Sequence, residues 1–333
     1  MRAYRLNGAA APLRLVEEAE PKAGPGEVLI DLKAATLNYR DTIVREARYG
    51  GDQRADLIPL SDGAGVIAAV GEGVSPERIG ERVAVGFMPR WTEGPFSAAK
   101  QALALGGGFV DGVLAERIVV PATGVARLPD SWSFAEGAAY PCAGVTAWNC
   151  LFGGRGVRPG DTVLVEGTGG VSTFALQFAR AVGARVIATS SSDEKLARAR
   201  ALGADAGINY RDVPDWGARA ADIAGGEGVD HVIEVGGSGT LNQALAAVRP
   251  GGEVALVGVL TGFGGDINTG AILMKAINLR GVYVGSVSDL ATSLRSGVRP
   301  IIDEVFPFEQ ADAAFDRLLS GAHRGKVAIH IAD

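Results

Sequence analysis

The spacing of apolar residues changes character partway along this chain. Before about residue 122 it has the short period of strands. Glu27-Val28-Leu29-Ile30-Asp31-Leu32-Lys33-Ala34 alternates in part between polar and apolar, as a half-buried strand does. Gly63 to Gly71 and Glu81 to Val85 predict further strands, punctuated by glycine and proline. From Phe87 to Gly112 no period holds. That long segment carries Trp91, Phe96, Phe109 and the run Gly106-Gly107-Gly108. Its aromatics either line a substrate cleft or pin the loop to the core.

Pro121 to Pro129 reads as a crossing between domains, and Phe134 to Phe152 as one buried helix, apolar on most faces. Strands then alternate with helices. Strands are predicted at Thr162, Ala184, Val229 to Val235, Glu253 to Gly258 and Leu279 to Val284; helices include Glu194 to Leu202 and Leu241 to Val248. Such alternation predicts an α/β fold with a parallel, doubly wound sheet. The tail from about Pro300 adds a helix, Ala311 to Ser320, and a strand, Lys326 to Ile331.

The stretch Thr162-Val163-Leu164-Val165-Glu166-Gly167-Thr168-Gly169-Gly170-Val171-Ser172 is the most informative. An apolar strand runs into glycines, and Phe174, Ala175, Leu176, Phe178 and Ala179 follow at helical spacing. Gly167 suits the tight turn, and Gly169 and Gly170 let backbone amides approach a pyrophosphate. The helix beginning near Val171 turns its positive end to that anion. Ser172 replaces the third glycine of G-x-G-x-x-G; so small a side chain still allows close helix–strand packing, and its hydroxyl is a second candidate contact to the phosphate. The next strand ends in Ser190-Ser191-Ser192-Asp193-Glu194-Lys195. A carboxylate at that strand end marks NAD preference. Hydroxyls with Lys195 suit the extra phosphate of NADPH, which is the expected cofactor. Ser192 has a second reading as a helix N-cap, and Asp193 one as a first-turn acid.

At 333 residues the chain predicts two domains, and 47% hydrophobic content gives ample core. The net charge of −6 argues against nucleic acid as a partner. No apolar run spans a membrane. Met1-Arg2-Ala3-Tyr4-Arg5 lacks the apolar core of a signal peptide. Cys142 and Cys150, eight residues apart on one predicted helix, would sit roughly 12 Å apart, beyond disulfide reach. Free thiols fit a cytoplasmic protein.

Several motifs in this order resemble the medium-chain dehydrogenase/reductase superfamily over essentially the whole chain. They are Leu37-Asn38-Tyr39-Arg40-Asp41, Asp62-Gly63-Ala64-Gly65-Val66, Cys142-Ala143-Gly144-Val145-Thr146-Ala147-Trp148, the Gly167 turn, Ala201-Leu202-Gly203-Ala204-Asp205, Ile208-Asn209-Tyr210 and His323-Arg324-Gly325-Lys326-Val327. The chain looks closest to the zinc-independent quinone oxidoreductase-like branch. The resemblance implies a β-rich GroES-like catalytic domain, 1–122 completed by 300–333, around a Rossmann domain, 123–299. It implies that the nicotinamide lies in the cleft between them. It also implies a homodimer paired edge to edge near Val282.

Zinc-dependent members place a cysteine where this chain has Asn38, and Gly-His-Glu where it has Leu60-Ser61-Asp62. Only Cys142 matches a ligand position, so no metal is expected. Without a Lewis acid, reducing a quinone or an activated C=C bond asks less of the protein than interconverting alcohol and ketone. The leading expectation is an NADPH-dependent reductase of quinones or α,β-unsaturated carbonyls. The alternatives are a zinc-free NADP-dependent alcohol dehydrogenase and an NADPH-binding structural or sensing protein. Tyr39 and Asn38 are the candidate donors, with Asp41 fixing the geometry beside them. Cofactor contacts are expected from Thr146, Gly167, Thr168, Gly169, Gly170, Val171, Ser190, Ser191, Lys195, Tyr210, Gly258, Gly285 and Lys326.

Overall fold

The computed structural model describes residues 1–49, 53–262 and 264–333. The chain divides into two compact units, Met1–Val145 with Gly285–Asp333, and Thr146–Val284. The division falls later than residue 122 and earlier than 299. The reason is packing: the helix Phe134–Ala138 lies on strands Glu27–Thr36 and Asp62–Val70, and so belongs to the first unit.

Among the described residues, the first unit holds a seven-stranded sheet. Its path runs Ile302–Pro307, Lys326–His330, Glu27–Thr36, Asp62–Val70, Arg82–Val85, Val125–Arg127, and Arg117–Pro121 also pairs with Glu27–Thr36. The pairs are antiparallel except Ile302–Pro307 with Lys326–His330. Inward residues of these strands, Ile30, Leu32, Ile67, Val83, Val327 and Ile329, form one core with Phe308 and Phe315 of the tail. Register fixes what matters next: Thr36 stands opposite both Asp62 and Ala328. The end of one strand and the starts of two others therefore meet at one edge of the core.

The second unit is a six-stranded parallel sheet, again of the described residues. In space its strands run Ala206–Asn209, Arg185–Ser190, Thr162–Glu166, Val229–Glu234, Val248–Leu256, Asn278–Gly281. That is third, second, first, fourth, fifth, sixth, the doubly wound order, with its switch point between Thr162–Glu166 and Val229–Glu234. The strand Thr162–Glu166 is buried throughout, as its unbroken apolar run requires. The helix Gly170–Val182 buries Phe174, Ala175, Phe178 and Ala179 on one face and ends at Gly183, whose φ is 89°.

Three expected elements differ in detail. The helix from Phe134 to Phe152 is split by a wider turn at Tyr140–Gly144, where Pro141 has no N–H for a regular ladder. The sixth strand of the parallel sheet stops at Gly281 rather than Val284, because Val284 has φ 55°, outside strand geometry. In the Phe87 to Gly112 segment, Trp91 is buried, donates to the Gly94 carbonyl at 2.8 Å and packs on Phe96, so this part of the loop is pinned. Phe109 is exposed.

Candidate functional site

The glycine turn of the second unit forms as the sequence predicts. Gly167 has φ 74°, a conformation a side chain would strain, and its N–H bonds the Thr189 carbonyl at 2.8 Å. Gly169 is the N-cap of a helix that starts at Gly170, one residue before Val171. A Cβ on Gly169 would meet nothing within 4 Å, so there is open space beside the turn. Thr168 and Val171 flank this opening, both half-buried. Ser172 turns away: its hydroxyl donates to the Glu166 carbonyl at 2.6 Å, tying helix to strand instead of reaching outward.

Neighbouring strand ends bring further expected residues to this edge. Tyr210 N–H bonds the Ser190 carbonyl at 3.0 Å, which places Ser190 and Tyr210 side by side. The Ser190 side chain is buried and Tyr210 is exposed. Ser191 and Lys195 are half-buried. Ser192 acts as the N-cap, accepting from Lys195 N–H at 3.3 Å. Asp193 sends its carboxylate to the Asn209 amide at 3.2 Å. Gly258 follows the fifth strand so closely that a Cβ there would lie 1.5 Å from the Val235 carbonyl oxygen. Thr146 is buried at the start of the second unit; Gly285, buried in the first, precedes Ser286, which caps the helix Val287–Leu294.

Beside the turn lies a pair that sequence reasoning left without a role. Glu166 and Glu234 end the two strands that flank the switch point. Both are buried and both accept from the Gly236 N–H, at 3.3 and 3.1 Å. Glu234 also takes the Gly237 N–H at 3.0 Å and the Thr240 hydroxyl. One Glu166 oxygen has no partner. Burial, then the facing Glu234 charge, pushes the Glu166 carboxyl well up, and burial raises Glu234 too. The signal was present: an acid ending a fully buried apolar strand is costly without a purpose.

In the first unit, the three strands that meet at Thr36 build a buried polar cluster. Lys326 and Asp62 form an ion pair at 3.2 Å with side chains 3% and 0% exposed. Asn38 completes it. Its Nδ2 donates to Asp62 at 2.9 Å, and its Oδ1 accepts from the Lys326 ammonium. The Thr36 hydroxyl donates to the Ala138 carbonyl at 3.0 Å, and Ser61 donates to the other Asp62 oxygen at 3.2 Å. Lys326 was expected to touch the cofactor; the structure sends its ammonium to these two side chains.

Asn38 opens the helix Tyr39–Arg45. Asp41, fully buried, reaches back to the Asn38 N–H at 2.8 Å and pairs with Arg40 at 3.0 Å. Burial outweighs the Arg40 charge and pushes the Asp41 carboxyl up to about 6. Asp41 therefore positions the loop and is closed to a substrate. Tyr39 is 41% exposed and Asn38 half-buried, so both remain within reach of a ligand.

A zinc ion needs about three thiolate, imidazole or carboxylate ligands and one open position. Here Asn38 offers only a neutral amide, and Lys326 already occupies its oxygen. The Asp62 carboxylate is paired with the same ammonium. Cys142 would supply one thiolate, and one ligand does not hold the ion. Among the described residues, no group of three or more His, Cys, Asp or Glu is placed to hold a metal. These residues do not fit zinc. No helix of the described residues is long and apolar enough to cross a membrane.

A doubly wound nucleotide unit and a GroES-like unit in one chain define a nicotinamide-dependent oxidoreductase. The chain belongs to the medium-chain dehydrogenase/reductase superfamily. The family model described as alcohol dehydrogenase GroES-like domain matches residues 24–130, and that described as zinc-binding dehydrogenase matches 170–298. A zinc-type alcohol dehydrogenase-like protein of Schizosaccharomyces pombe is 44% identical, covering 94% of this chain and 93% of its own. Among solved structures, a putative alcohol dehydrogenase from Sinorhizobium meliloti is similar at TM-score 0.91 and 40% identity, covering 99% of this chain and 98% of that one. An NAD-dependent alcohol dehydrogenase matches at 0.89 and 34%, with full coverage of both (100%). A mycobacterial quinone oxidoreductase matches at 0.81 and 25%, covering 99% and 100%.

Proposed function

We propose that the chain is a zinc-independent, NADPH-dependent reductase that passes hydride to a quinone or an α,β-unsaturated carbonyl. What carries this reading is the Lys326 ammonium held between Asn38 and Asp62. The site has a fixed internal cation where its zinc-dependent relatives are expected to need a metal. The turn Gly167–Val171 and the helix behind it suit the pyrophosphate, and the bound nicotinamide would supply the hydride. The chain's own part is alignment and charge. Asn38 donates a hydrogen bond to the acceptor oxygen as negative charge grows there, and the exposed Tyr39 phenol is available for the proton.

NADPH is favoured over NADH because the second strand ends in Ser190 and Ser191 with Lys195 close by, while Asp193 is engaged with Asn209. Lys195→Ala is expected to weaken NADPH about ten-fold or more relative to NADH, read by fluorescence titration. Equal loss for both removes the preference. We also propose a homodimer through strand Asn278–Gly281, the edge of the parallel sheet among the described residues, next to the exposed Leu273 and Met274. Light scattering of Leu273→Glu checks it, and a monomeric wild type overturns it.

The test of the main reading is NADPH consumption against quinones, enones and aldehydes, with and without chelator. Turnover unchanged by chelator is expected; loss on metal removal overturns it. The alcohol-dehydrogenase names of the similar proteins favour a second reading, a zinc-free alcohol dehydrogenase. Faster turnover on secondary alcohols with NADP than on any quinone or enone would select it.

A further inference from the structure

An amide side chain such as Asn38 has two orientations that differ by a half-turn, and only a hydrogen-bond network chooses between them. Here the choice is made by groups of opposite sign. Lys326 has only donors and therefore takes the Asn38 oxygen. Asp62 has only acceptors when ionised and takes one Nδ2 hydrogen, at 2.9 Å. The ammonium and carboxylate also bind each other at 3.2 Å, so neither swings away without breaking a buried pair. The Ser61 hydroxyl holds the other Asp62 oxygen at 3.2 Å, and the Thr36 hydroxyl, whose hydrogen goes to the Ala138 carbonyl, lies 3.4 Å from the paired one. Among the described residues, the second Nδ2 hydrogen of Asn38 is given no acceptor. Asn38 is half-buried whereas Thr36, Ser61, Asp62 and Lys326 are buried, so its amide is the part of the cluster open to an outside ligand.

We propose that Lys326 is a positioning residue: with Asp62 it locks the Asn38 amide in one orientation, which leaves a single N–H to bind the oxygen of the reducible substrate. The proposal rests on the reductase reading above. It assigns Lys326 a task other than binding the dinucleotide. It also gives the buried charge pair a purpose, because each charge fixes one end of the amide and the two together fix both. The positive charge on the amide oxygen side withdraws electrons from the N–H and strengthens it as a donor to a developing enolate or phenolate.

The experiment is a double-mutant cycle on Lys326 and Asn38, with kcat, KM for the acceptor and Kd for NADPH measured on each protein. Lys326→Met is expected to lower kcat about ten-fold or more while NADPH Kd stays within about two-fold. On an Asn38→Ala background the same change should lower kcat less than about two-fold, because the group it acts through is gone. Where Lys326→Met alone does not fold, the pair Asp62→Asn/Lys326→Met removes both charges and is read in the same cycle with the same expectation. Additive losses overturn the proposal. So does a ten-fold weaker NADPH Kd with kcat retained, which would return Lys326 to the cofactor. A wild-type chain that binds NADPH yet reduces no quinone, enone or aldehyde overturns the reductase reading, and this inference falls with it.

Discussion

Asp62 in the first unit and Glu234 in the second are both fully buried, and each sits at an end of a central strand. Their surroundings differ. Asp62 faces the Lys326 ammonium, an amide and two hydroxyls. Glu234 faces a second carboxyl, Glu166, and among the described residues neither has an ion-pair partner; backbone amides and the Thr240 hydroxyl answer the charge. A cation beside a buried carboxylate answers its charge directly. Amides cannot neutralise two carboxylates, so the pair keeps a proton to a higher pH than exposed acids do. Asp62 is thus answered by an opposite charge, whereas the Glu166–Glu234 pair is answered by a proton kept to higher pH.

The comparison breaks most visibly if the cation is removed. Lys326→Met leaves Asp62 buried and uncompensated, and is expected to cost about 3–5 kcal/mol. Adding Asp62→Asn should recover most of that loss. Denaturant unfolding of the two variants measures both. A single variant as stable as wild type would mean that Asp62 is not held by Lys326 at all.

The opposite sign is expected in the second unit. Glu166→Gln imitates the protonated carboxyl and should stabilise the protein. The folded carboxyl titrates well above 4.5, whereas in the unfolded chain it titrates near that value. Wild type therefore loses stability as pH rises from about 4.5 to the raised folded value, and beyond that the penalty is complete. The gain from Gln should be absent near pH 4, grow across that window and then level. Thermal melts at several pH values follow it; a gain that shrinks as pH rises would contradict a shared proton.

Thr240→Val removes a hydroxyl that bonds Glu234 while keeping the shape. The expected cost is about 1.5–3 kcal/mol, the range for a hydrogen bond to a charged group. The loss should fade at low pH, where Glu234 is neutral. A cost independent of pH would mean that packing beside Gly236, not the carboxylate, needs Thr240.

Much of this architecture was legible as periodicity. The apolar run before Gly167 and the helical spacing of Phe174 and Phe178 locate the first strand, the turn and the helix of the nucleotide unit. The neighbourhood of Asn38, Tyr39 and Asp41 was legible as motif. What stayed hidden depends on strand register. Lys326 meets Asp62 across 264 residues only because two strands place it beside Thr36. Glu166 meets Glu234 only because the first and fourth strands are neighbours, which no local pattern states. Val284 hid a different fact: a β-branched residue at positive φ is a poor prediction from its own identity, and it shortened the last strand.

Ser172 gives the smallest and most selective test of how the second unit works. Its place in the glycine pattern suggests a phosphate ligand, but its hydroxyl is spent at 2.6 Å on the Glu166 carbonyl. That bond ties the residue carrying the proton-sharing carboxyl to the helix behind the turn. Ser172→Ala removes one buried hydrogen bond, worth about 0.5–1.5 kcal/mol of stability. It should leave NADPH affinity within about two-fold, since no phosphate contact is lost. A ten-fold loss of affinity with unchanged stability would reverse the assignment. The hydroxyl would then be turning to the cofactor on binding, and the turn would answer the pyrophosphate with a side chain as well as with backbone amides.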